Sequence, residues 1–128
     1  MTQYFLTMPH DSATEPTMAS LQEFDPAGLA AVMAAVDEFN TALKDSGAWL
    51  FAGGLNPPST AKTVDATSGE TRVLDEPFVE APSYVGGFWV IEAPDEASAI
   101  EWATKASAAV QSRIEVRALQ EAPELPEA

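Results

Sequence analysis

The chain has 128 residues, with twenty Asp and Glu against six Lys and Arg, a net charge of −14, and no cysteine. That length fits one domain, and the missing cysteine excludes disulfides, thiolate zinc sites and cysteine nucleophiles. The acidic balance repels phosphate backbones and anionic lipid, so neither nucleic acid nor membrane is expected as a partner.

No apolar run reaches the ~18 residues of a membrane span. Met1-Thr2-Gln3 puts no basic residue ahead of its short apolar run, unlike a secretory signal. A cytoplasmic location is the expectation.

Gln3-Tyr4-Phe5-Leu6-Thr7-Met8 is aromatic and β-rich, and Pro9 ends it as a first strand. Residues 9 to 25, with Pro9, Pro16 and several Ser and Thr, read as a loop carrying the lone histidine, His10, beside Asp11. A histidine next to a carboxylate can serve as a general base; a solvated loop residue is the expectation for His10.

Asp25-Pro26 starts a helix, with Asp as N-cap and Pro at the first helical position. Leu29, Val32, Met33, Val36, Phe39 and Leu43 recur at three- and four-residue steps and share its inward face. Gly47 closes it. Ala48-Trp49-Leu50-Phe51-Ala52 is a wholly apolar strand, expected to be buried on both faces.

Leu55-Asn56-Pro57-Pro58-Ser59-Thr60 is expected to be extended, because each proline fixes its own φ and restricts its predecessor. Lys62 to Thr67, the Ser68-Gly69 turn and Glu70 to Leu74 form a predicted β-hairpin.

Asp75 to Glu92 packs carboxylates, two prolines, the Gly86-Gly87 pair and the strand Phe88 to Glu92 into one segment. The glycine pair leads into a strand, so it cradles no phosphate; a bulge or close approach fits better. Asp95 caps a last helix with Glu96 in its first turn and Ala99, Ile100, Ala103, Ala106 and Val110 facing inward.

Arg113 to Leu119 alternates as the final strand, with Ile114, Val116 and Ala118 on one face and Arg113, Glu115 and Arg117 on the other. A single domain over 1–119 and a flexible acidic tail over 120–128 follow.

Strand, helix, strand, hairpin, strand, helix, strand is an α+β order. Without the hairpin it is the ferredoxin-like βαββαβ arrangement, with both helices on one face of an antiparallel sheet. The other face is then left for a second copy to cover, and a homodimer is expected.

Three segments carry a family resemblance: Gly54 to Ala61; Asp75-Glu76-Pro77-Phe78-Val79-Glu80; and Gly86 to Glu92 with Asp95 to Ala103 and Ile114 to Arg117. Together they resemble the YCII-related family, in the branch with a DGPF signature. The resemblance implies a dimeric α+β barrel type of fold related to muconolactone-isomerase-type barrels. It also implies a polar cleft suited to a small molecule, and for this branch an association with sigma-factor regulation. Glu76 stands where the signature has glycine, and Ala81-Pro82-Ser83-Tyr84 replaces a stretch that typically carries lysine.

Asp75 and Glu80 are the candidate catalytic carboxylates, with Glu92 a third acid; two carboxylates in a partly apolar cleft can split their pKa values and act as acid and base. Asp75 equally fits a turn-capping role, and Glu92 is expected in water at a strand end. Phe78, Phe88 and Arg117 are the candidate ligand-binding residues: the rings as apolar wall, the guanidinium as a fork for carboxylate. An ion pair of Arg117 with Glu115, Glu80 or Asp75, within the chain or across a dimer, fits as well. Tyr84 and Trp89 are read as wall or core.

One histidine supports no His-cluster metal site, and no nucleotide-binding glycine pattern occurs; no cofactor is expected. The sequence therefore points to a small-molecule binder, an isomerase or lyase moving a proton by carboxylate, or else to a non-catalytic regulatory module.

Overall fold

The structure is a computed structural model and describes residues 1–11 and 17–121. Its main sheet has four strands, β1 (Thr2–His10), β2 (Trp49–Gly54), β5 (Tyr84–Ala93) and β6 (Glu115–Ala118), in the order β2-β5-β1-β6 with every pairing antiparallel. Strands β3 (Thr63–Asp65) and β4 (Arg72–Leu74) form a separate two-stranded hairpin. The helices are α1 (Met18–Phe24), α2 (Pro26–Ser46) and α3 (Glu96–Val110). The fold is α+β, as expected; the predicted tail beyond Glu121 lies outside the described residues.

The long helices begin and end where the sequence places their caps. The Asp25 carboxylate accepts a hydrogen bond from the Gly28 amide at 3.1 Å, and Asp95 accepts one from Ser98 at 2.8 Å. Gly47 closes α2 at φ 80°, where a side chain would be strained.

Alternation along the strands sends Tyr4, Leu6, Trp89, Ile91 and Ala93 to one face, where Phe39 and Leu43 of α2 and Ala99, Ala103 and Ala106 of α3 meet them. Leu6, Leu43, Ile91, Ala99 and Ala106 are sealed completely. The alanines let α3 lie close to the sheet. The Trp89 indole N–H, the one polar atom of its ring, donates to the Asn40 side chain at 2.8 Å.

Several expectations are corrected. Residues 9 to 25 are not one loop: β1 runs on to His10, and α1 follows at Met18. Pro9 is tolerated because β6 pairs with β1 only from Tyr4 to Thr7, and the β1–β5 register shifts between Met8 and Pro9.

β2 is not buried on both faces. It is an edge strand, and its Leu50 and Phe51 are exposed. Pro58–Thr60 forms a 3₁₀ turn, since the fixed φ of proline also suits the start of a helical turn. Ile100 lies about 100° around α3 from Ala99 and is exposed. Val32 and Met33, on the first half of α2, also remain exposed, because the core reaches only Val36, Phe39 and Leu43.

Candidate functional site

The second sheet face carries the other half of the alternation. Direct cross-strand pairing sets Phe51, Val90, Phe5 and Arg117 in one row across the four strands, and Gly53, Phe88, Thr7 and Glu115 in the next. The Phe88 ring lies edge-on to Phe5, centroids 5.4 Å apart, and tilted on Phe51 at 5.9 Å. Gly53 leaves the room this ring uses: a Cβ there would already touch it at 3.4 Å.

No described helix lies on this face, and Phe51 is 60% exposed. An aromatic floor is thus bordered along β6 by the guanidinium of Arg117 and the carboxylate of Glu115. Arg117 makes no ion pair with any described residue. Glu92 sits at the end of β5, one residue before its last, as expected, but it is half-buried opposite Gln3 rather than fully in water.

The remaining candidates lie elsewhere. Asp75 follows the β3–β4 hairpin and pairs with Lys62 at 3.0 Å, with side chains 83% and 59% exposed. The Thr63 hydroxyl donates to the Glu76 carbonyl at 2.7 Å, which ties the two ends of the hairpin. Glu76 keeps a negative φ, so the residue that replaces the signature glycine needs no left-handed backbone. Phe78 is 88% exposed, and Glu80 projects into solvent.

Within the chain, then, Arg117 and Phe88 share the sheet face, while Asp75, Phe78 and Glu80 share a projecting loop. No ion pair joins the two groups among the described residues. An open hollow lined by Met1, Gln3, Leu119, Gln120 and Glu121 contains none of these candidates.

Sequence reasoning missed the group at the end of β1. His10 is not a solvated loop residue; it is 8% exposed, paired with Tyr84, and its ring lies against Gly86. A Cβ on Gly86 would stand 2.7 Å from the His10 Cδ2. The buried His10 Nδ1 has no hydrogen-bond partner among the described residues.

Next to it, the Ser83 hydroxyl donates to Asp11 at 2.8 Å, and Arg113 donates to both Asp11 oxygens. These bonds, from Arg113 first and Ser83 second, hold the Asp11 carboxyl below its ordinary range and the Arg113 guanidinium above its own. The clue was Gly86: an extra residue opposite Pro9 needed a reason to lack a side chain.

Among the described residues no three His, Asp or Glu side chains converge to hold a metal ion, and no helix is long and apolar enough to cross a membrane. An antiparallel sheet covered by helices on one side and, among the described residues, bare, aromatic and rimmed by charge on the other defines an α+β protein. The YCII-related domain model matches residues 5–122, and the chain belongs to that family. No curated protein sequence matches it.

Proposed function

We propose that this is a small-molecule-binding protein of the DGPF branch of the YCII-related family, acting as a cytoplasmic homodimer whose open sheet faces enclose the ligand cleft. The observation that carries the reading is the uncovered row of Phe51, Val90, Phe5 and Arg117. The strand order β2-β5-β1-β6, with both long helices on one face, supports the ferredoxin-like, dimeric α+β barrel arrangement.

In this reading Phe5, Phe51 and Phe88 form an apolar floor and Arg117 holds a carboxylate of the ligand. Asp75 and Glu80 move a proton in an isomerase- or lyase-type reaction without a cofactor. A second reading, a non-catalytic regulatory module, is favoured by the exposure of Asp75 and its pairing with Lys62, which suit a surface role.

Light scattering at micromolar concentration is expected to give twice the 13.6 kDa chain mass. A monomer would overturn the dimer. The double variant Asp75→Asn, Glu80→Gln separates the two readings: loss of turnover supports catalysis, and unimpaired biological function supports the regulatory module.

A further inference from the structure

The five candidate site residues fall into two groups, each incomplete. The hairpin that bears one group is itself unfinished. β3 and β4 pair only three residues each, with Val64 opposite Val73, and these valines are 65% and 60% exposed. An isolated two-stranded hairpin is marginal in water and needs a surface to pack on. The loop that follows it adds Phe78, the most exposed large apolar residue described, and Val79.

The sheet supplies what the loop lacks. It has an uncovered aromatic floor, and at its β6 edge Arg117 has no anionic partner among the described residues. The loop supplies a ring that the aromatic floor can bury, Phe78, within a run bearing Asp75, Glu76 and Glu80. In a chain of net charge −14, an arginine with no ion pair among the described residues is a place on that face where another copy's acidic loop is attracted.

We infer that the site is completed in trans: the 75–80 loop of each copy lies on the open sheet face of the other, Phe78 at the border of the Phe5–Phe51–Phe88 floor and Glu80 at one edge of Arg117, whose five N–H donors leave the other edge for the ligand carboxylate. The two-fold symmetry of such a dimer makes each exchange occur twice, so both copies bury their arm and each Arg117 gains a carboxylate from the other copy. This inference rests on the homodimer proposed above and goes beyond it, because sheets could also meet with both arms left in solvent.

Phe78→Cys and Phe51→Cys chains, each the only cysteine in its molecule, are mixed and treated with a short bismaleimide. A covalent species of twice the chain mass, far more abundant in the mixture than with either chain alone, is expected. In parallel, Phe78→Asp is expected to raise the dimer dissociation constant at least about tenfold while the circular dichroism spectrum stays unchanged. Arg117→Glu should weaken the dimer, and pairing it with Glu80→Arg should restore it.

A wild-type dimer in which the mixed chains do not cross-link and Phe78→Asp changes nothing overturns completion in trans and leaves the dimer standing. A monomeric wild-type protein overturns both.

Discussion

The two faces of the main sheet are drawn from the same strands and both carry large aromatic and aliphatic side chains, yet they end in opposite states. Tyr4, Leu6, Trp89 and Ile91 on one side are sealed beneath α2 and α3. Phe5, Phe51, Phe88 and Val90 on the other side, one residue out of step, are partly or largely open. Pattern assigns each residue to a face; only the elements that follow in the chain decide which face is covered. Both long helices return to the same side, so the fold finishes one core and leaves a second half-built.

The sharpest way to break this contrast is to cut into each face in turn. Ile91→Ala removes a fully buried side chain and is expected to cost about 2–5 kcal/mol of unfolding free energy in urea titration. Phe51→Ala, across the sheet, should change the stability of the isolated chain by less than about 1 kcal/mol while lowering the light-scattering mass. Equal losses at both positions in the isolated chain would mean that Phe51 is covered by its own chain.

A smaller effect tests the end of the sheet where the faces meet. Gly86→Ala forces a methyl against the His10 ring and is expected to cost about 1–3 kcal/mol. His10→Ala in the same chain should recover most of that loss in thermal unfolding; a double variant no more stable than Gly86→Ala would refute the steric account.

Smaller still is the acid response of the Asp11 clamp. Its carboxyl is held below the ordinary range by Arg113 and Ser83, so the clamp's contribution is complete above the unfolded pKa and is lost as pH falls through the lower, folded one. Asp65 and Asp95 act in the same direction through Thr67 and Ser98. Asp11→Asn should therefore flatten part of the decline in stability across the acidic side of the carboxylate range. Least affected of all should be Lys62→Ala, which removes an exposed ion pair and is expected to leave the unfolding midpoint in place.

Much of this contrast was legible in the sequence. The caps Asp25, Gly47 and Asp95 wrote the helix ends, since each solves a backbone hydrogen-bonding problem that a few neighbouring residues define. The alternation of Ile114 to Ala118 placed Arg117 with the outward set, and the structure sets it opposite Phe5. A glycine pair entering a strand implies a bulge or a close approach, and Gly86-Gly87 shows both.

What stayed hidden was long-range. The exposure of Phe51 depends on β2 lying at the sheet edge. The burial of His10 depends on a strand more than seventy residues away. The separation of Asp75, Phe78 and Glu80 from Arg117 depends on where a hairpin projects. No local spacing encodes any of these.

The edge position of β2 has a further consequence, for solubility. Trp49 to Ala52 is an apolar β-forming run whose outer hydrogen-bonding edge faces no neighbour in the sheet order, the kind of strand on which other chains can template. Its irregular register between Trp49 and Phe51, the Gly53-Gly54 pair and the two prolines at 57 and 58 keep the regular part of that edge short, which is how natural sheets blunt such templates. One face of the sheet is thus left bare while the edge beside it is interrupted at both ends.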